Sequence, residues 1–196
     1  MATREEMLAT LRRNAPPRTA LPDLSGLGVR FSDPLRQYEE ALRSVGGAPI
    51  RARDLAAAHR ALSELPCCRG AKRIVSLVPG VGRGNVDLAA LDDPHALEGL
   101  DLAILPGELA VAENGAVWVD GRSLPHRAIF VIAEHLALVV AAREVVNDLH
   151  EAYARLADRE VGYGLFLSGP SKTADIEQAL VVGAQGPRSC TVFLIG

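Results

Sequence analysis

Short, dense apolar runs alternate along this chain with stretches whose apolar positions recur every three to four residues. Residues 74–78 (Ile-Val-Ser-Leu-Val) and 102–105 (Leu-Ala-Ile-Leu) have the length and density of buried strands. Residues 54–65 put Leu55, Ala58, Leu62 and Leu65 on one helical face. Ahead of them, Asp33-Pro34 supplies an N-cap and a proline at the first helical position. A helix is therefore predicted to about Val45, where Gly46-Gly47 stops it, and a short strand follows near residues 49–52. Thr3 and Glu6 have capping-box spacing, which predicts an earlier helix through about Arg13. Residues 14–32 carry Pro16, Pro17, Pro22, Gly26 and Gly28 and read as an extended linker. Two parts result: residues 1–32 as helix and linker, and residues 33–196 as one α/β domain.

The second half is patterned differently. Residues 109–120 alternate around Asn114-Gly115, the signal of a hairpin with a type I′ turn, both of whose central residues need positive φ. Residues 129–132 and 136–140 predict two strands or one interrupted strand, and residues 142–156 a helix. A strand at 165–167, a helix from Thr173 and a closing strand at 191–195 complete the reading. Strands alternating with helices predict an α/β fold with a mostly parallel sheet flanked by helices.

Composition narrows the class. A chain of 196 residues can bury one substantial core, and with 48% hydrophobic but only 4% aromatic residues that core must be aliphatic. The net charge of −3 gives no reason to expect nucleic acid or an anionic membrane as partner. The longest apolar stretch, residues 128–142, is interrupted by Glu134-His135 and is too short to span a bilayer. Met1 to Glu6 lacks the order of a signal peptide, so a cytoplasmic protein is expected. Cys67, Cys68 and Cys190 form neither a disulfide framework nor a spaced metal site, and no cofactor of this chain's own is expected. The glycine-rich residues 79–85 have G-x-G-x-G spacing with no helix directly behind, and suit a flexible connection better than a dinucleotide loop.

Candidate chemistry concentrates near the C-terminus. Ser168, Gly169, Ser171, Lys172, Thr173 and Asp175 fall within eight positions, where a strand gives way to the predicted helix. Helix N-termini attract anions, because their first amides lack partners and the macrodipole is positive there. The same residues also suit an ordinary strand–turn–helix connection. Glu113, at the mouth of the hairpin, is a candidate acid–base or nucleophilic carboxylate, or a solvated turn residue. His135 lies in an apolar stretch beside Glu134 and suits either a ligand contact or a hydrogen-bonded structural role. No nucleophile elbow, H-E-x-x-H or P-loop is present.

The run Gly169-Pro-Ser-Lys-Thr-Ala-Asp-Ile-Glu177 resembles the signature of the lactate utilization protein C family, also described as the LUD domain. Gly183-Ala-Gln-Gly-Pro187 is similar to its following glycine-bounded element, with Gln185 where the family pattern has histidine. Ala112-Glu-Asn-Gly-Ala116 resembles a second motif, matching at Glu113 and Gly115 but lacking the hydroxyl at Ala116. Around His135 a third match has Ala133 in place of proline, and the likeness runs from about Arg73 to Ile195. The resemblance implies a fold like that of glucosamine-6-phosphate deaminase, ribose-5-phosphate isomerase and CoA transferases. It also implies a part in oxidising L-lactate to pyruvate beside iron–sulfur partner subunits, with a small carboxylate as ligand. A stand-alone sugar-phosphate or acyl-CoA enzyme and a non-catalytic assembly module are the alternatives.

Overall fold

The computed structural model of the chain describes residues 3–196, apart from 18, 21, 24, 25, 27, 123, 158–161 and 175–179. Its centre is a five-stranded parallel sheet of β1 (Ala48–Ala52), β2 (Ile74–Ser76), β3 (Leu102–Pro106), β6 (His135–Ala141) and β11 (Ser189–Ile195), in the order β1-β11-β6-β3-β2. Residues 136–140 and 190–194 are buried without a break, as strands covered on both faces must be. On one face, Leu102, Ile104, Ala137, Val139 and Phe193 pack against Ala58 and Leu62 of helix α3 (Leu55–Glu64).

The other face meets a second sheet. Its strands are β4 (Leu109–Val111), β5 (Ala116–Asp120), β7 (Val145–Val146) and β8 (Gly164–Leu167), in the order β7-β4-β5-β8. Alternation along these strands sorts their side chains between two cores. Ala110, Val117 and Val119 point inward, with Tyr38 and Leu42 of helix α2 (Pro34–Ser44) and Phe130 of the single turn α5 (Ile129–Ile132). Leu109, Val111, Ala116 and Trp118 point outward, under Ala152 and Leu156 of helix α6 (Leu149–Leu156). Layers of helix, sheet, sheet and helix result. Among the described residues no helix is long and apolar enough to cross a membrane.

The caps behave as their sequences require. Helix α1 (Arg4–Arg13) carries the complete Thr3–Glu6 capping box, yet none of its residues is buried. In α2 the Asp33 carboxylate accepts from Arg36 N at 3.0 Å. Four local expectations fail. Residues 112–115 form a four-residue loop, not a two-residue type I′ turn, because Val111 pairs with Ala116; Gly115 at φ +69° closes it. Residues 129–132 make a helical turn instead of a strand. The helix expected over 142–156 is a 3-10 turn (Ala142–Glu144), then β7, and only then α6, whose N-cap is Asp148.

The fourth correction matters most. Lys172–Ala174 is a strand, β9, paired antiparallel with β10 (Leu180–Val182), so no helix begins at Thr173. Strand β10 brings two adjacent valines, which favour the extended ladder. The glycine-rich segment 79–85 is pinned as well: Val81 is fully buried, Gly82 N donates to His59 Nδ1 at 3.0 Å, and Asn85 Oδ1 accepts from Ile74 N at 2.8 Å.

Candidate functional site

Strand β8 ends beside the turn that follows α2, and the chain reverses there through Gly169 at φ +71°. A Cβ on Gly169 would lie 2.6 Å from the Val45 carbonyl oxygen, so only glycine lets the two segments meet this closely. Lys172 folds back over the junction, its ammonium donating to the same carbonyl. Ser168 Oγ donates to Asn114 O at 2.7 Å, tying the segment to the β4–β5 loop. On the other side, Ser171 N donates to Pro187 O at 2.8 Å and Ser171 O accepts from Gly183 N at 2.9 Å. Two loops are thereby joined into one wall.

Between them lies a cleft of about 300 Å³. Phe130, Leu136 and Leu167 supply its apolar lining, and Ser168, Ser171, Lys172 and Gln185 are its polar residues. Beneath the wall sits Cys190, buried, whose thiol burial pushes up to about 12 against the downward pull of the Lys172 ammonium and the Gly169 N–H. Tyr38 is fully buried, its hydroxyl has no hydrogen-bond partner among the described residues, and burial and then the neighbouring Cys190 hold that hydroxyl above the ordinary phenol range.

Of the residues singled out in the sequence, Ser168, Gly169, Ser171 and Lys172 converge here. Thr173 does not line the cleft; it pairs with Val181 in the β9–β10 ribbon. Asp175 lies outside the described residues.

His135 belongs elsewhere. Neighbouring residues of a strand face opposite ways, and Leu136 lines the cleft, so His135 lies on the α3 side of the sheet. There its Nδ1 is 2.8 Å from Ser189 Oγ, and its Nε2 is 4.0 Å from Glu134, whose carboxylate accepts from Arg188 at 2.8 Å.

Glu113 does not line the cleft either. Its backbone N–H donates to Asn147 O at 2.9 Å, and its carboxylate accepts from Leu149 N, the first amide of α6, at 3.2 Å. An exposed carboxylate at that position complements the helix dipole.

Sequence reasoning missed Asn147, which joins this corner together. Its Oδ1 accepts from Phe31 N at 2.9 Å and its side chain donates to Glu151 at 3.0 Å. These contacts, led by the Asn147 backbone N–H, hold the Glu151 carboxyl below the usual carboxylate range. The signal was present as Asp148 followed by Glu151 three residues later, a capping pattern inside a stretch assigned wholly to helix. Phe130 and Leu167, which line the cleft, carried no signal beyond hydrophobicity.

The arrangement is that of an α/β protein with a small cleft bordered by its C-terminal loops. Comparison with known proteins gives that class a family. The LUD domain family model matches residues 95–195, and the chain belongs to that family. A lactate utilization protein C from Geobacillus kaustophilus is 30% identical over 123 residues, covering 60% of this chain and 48% of that protein. The chain thus spans about half the length of the Geobacillus relatives it matches. A protein of the same name from Deinococcus radiodurans is 28% identical over 208 residues, covering 97% of this chain and 94% of that one. The crystal structure of a DUF162 family protein from Deinococcus radiodurans superposes with a TM-score of 0.59 at 18% identity, over 86% of this chain and 99% of that chain, and shares the fold.

Proposed function

We propose that this chain serves L-lactate utilization in the cytoplasm, supporting oxidation of L-lactate to pyruvate together with iron–sulfur partner proteins. Its own part is to hold a small carboxylate in the cleft formed by residues 168–172 and 185–187. The observation that carries this reading is the near end-to-end match to the Deinococcus radiodurans lactate utilization protein C. The cleft supports it, since the segments that resemble the family signature, residues 169–177 and 183–187, contribute both loop walls and Lys172. Converting a 2-hydroxy acid to a 2-oxo acid releases two electrons and two protons, and in this proposal the electrons leave through the partners' clusters. A stand-alone enzyme using Glu113 would need that carboxylate at the ligand, and its partner is instead the start of α6.

The test is anaerobic affinity purification of the tagged chain from lactate-grown cells, with lactate-dependent reduction of an artificial acceptor assayed in the eluate. Iron–sulfur proteins co-eluting with that activity are expected. A chain that elutes alone and inactive, from cells whose growth on lactate survives its deletion, overturns the proposal.

A further inference from the structure

The chain guards both edges of its central sheet and leaves the edge of β10 open. On β1, Pro49 offers no N–H, and Arg51 is charged and paired with Glu39. On β2, Ile74 O accepts from the N–H groups of Asn85 and Val86 at 2.9 and 3.0 Å, so those residues cover that edge. Strand β10 has neither device. It pairs with β9 alone, and Leu180, Val181 and Val182 are 63%, 50% and 47% exposed. Successive residues of a strand face opposite ways, so both faces of β10 are apolar and open.

The register of the ribbon fixes which backbone groups point outward. Gly183 N donates to Ser171 O, which makes Ser171 and Gly183 a hydrogen-bonded pair. Such pairs alternate in an antiparallel ladder, so Thr173 and Val181 form the next one, and Val182 and Leu180 belong to the pairs between. The N–H and C=O groups of Leu180 and Val182 therefore face away from β9.

Charge decides what meets them. From Leu180 to Pro187 no side chain is ionisable, in a chain of which 23% is charged. An edge that recognises a different protein gains specificity and speed of encounter from charge. An edge that pairs with itself sets residues near the two-fold axis against their own copies, where any charge meets its like. An apolar edge without charge suits the second case.

We propose that β10 is a self-pairing edge, joining two copies of this chain into a four-stranded antiparallel sheet in the order β9-β10-β10-β9. Val181 lies on the two-fold axis, opposite Val181 of the second copy. Leu180 lies opposite Val182 of the second copy, and the outward groups close two hydrogen bonds at each such pair. Three residues a side make a small contact, of the class below about 1,200 Å² found in transient complexes. The dimer is accordingly reversible and fills only at high protein concentration.

Sedimentation equilibrium of the full chain between about 5 and 500 μM tests this, a range that brackets the affinity of small interfaces. The mean mass should rise with concentration from one chain towards two. Val182→Pro removes an outward N–H and sets a ring on the edge, while the Thr173–Val181 bonds remain; it should weaken the dimer at least about tenfold. Val181→Lys sets two ammonium groups against each other on the axis and should do the same. Cysteine placement checks the register, because opposed Cα atoms of a non-hydrogen-bonded pair lie about 4.5 Å apart, within reach of a disulfide. Under mild oxidation Val181→Cys should link two chains and Leu180→Cys should not, each compared with the unmodified chain. A mass that stays at one chain across the range overturns the proposal and leaves the edge to a different partner. A dimer that Val182→Pro and Val181→Lys leave unchanged overturns it too, as does a cross-link at Leu180→Cys in preference to Val181→Cys. If Val182→Pro fails to fold, the two cysteine variants decide.

Discussion

Two loops press a glycine against the C-terminal end of helix α2 and the turn behind it, and they differ in what their polar residues border. In the β4–β5 loop, a Cβ on Gly115 would lie 2.7 Å from Leu42 Cα; in the β8–β9 loop, one on Gly169 would lie 2.6 Å from Val45 O. Around Gly115 the polar groups engage other parts of the protein. Glu113 binds the start of α6, Asn114 Oδ1 accepts from Ala116 N at 3.1 Å, and Asn114 O accepts from Ser168. Around Gly169, Ser168, Ser171 and Lys172 line a cleft. In the sequence the β8–β9 loop carries the fuller family motif, while the β4–β5 loop matches at Glu113 and Gly115 but lacks the hydroxyl at Ala116. Both loops tie the protein together through hydrogen bonds, and what separates them is that polar residues of the second also line a cleft.

The comparison breaks most readily at the glycines. Gly115→Ala should cost about 3 kcal/mol, combining a disfavoured φ with backbone overlap. Urea unfolding would measure it, with L-lactate affinity unchanged in the folded fraction. Gly169→Ala should cost a similar amount and weaken L-lactate as well. Equal ligand affinity in both variants would erase the distinction.

Alkaline pH sharpens it next. The Cys190 thiol has its folded value raised from an ordinary 9.0 to about 12, so the folded state holds the proton longer than the unfolded one. Its contribution to stability is complete below about pH 9 and is lost as pH rises towards 12, by up to about 1.4 kcal/mol per pH unit. Unfolding followed between pH 8 and 11 should show a shallower decline for Cys190→Ala. Amide exchange should open Gly169 before Gly115.

Glu113→Gln should lower stability by about 1 kcal/mol, through the lost charge at the α6 N-terminus, and leave ligand titrations unaltered. A collapse of ligand binding would return Glu113 to the site. Tyr38→Phe has the smallest expected effect. It removes a buried hydroxyl without a partner, so the melting temperature should hold or rise. A clear fall would reveal a partner for that hydroxyl.

Much of the parallel sheet was legible, because buried strands such as residues 102–105 announce themselves by unbroken apolar runs. Helix starts at Thr3 and Asp33 were legible for a similar reason, since a cap is a short-range bond between residues three apart. The second sheet was not. Its β5–β8 ladder joins Trp118 to Phe166, and no local pattern encodes a pairing across such a distance. Thr173 failed differently: Thr-Ala-Asp-Ile-Glu is a sound helix opening, but its first two residues pair with Val181 and Leu180. The polar residues at 168–172 stand out in the sequence by their density, and the structure brings Ser168, Ser171 and Lys172 to one cleft. The separation of Glu113 and His135 from them required the faces of strands and the end of a helix 36 residues beyond Glu113.

The sheet order carries a consequence for how this chain is made. Strand β11 is the last of the described strands, yet it lies between β1 and β6, and among the described residues it alone pairs with both. While the protein is being synthesised, β1 and β6 can each form, but the gap between them stays open until Ile195 has left the ribosome. Both flanking edges are apolar and unpaired for that whole interval, a template for any passing strand. Residues 185–187, which wall the cleft, directly precede β11, so the cleft and the closed sheet are completed at the same moment.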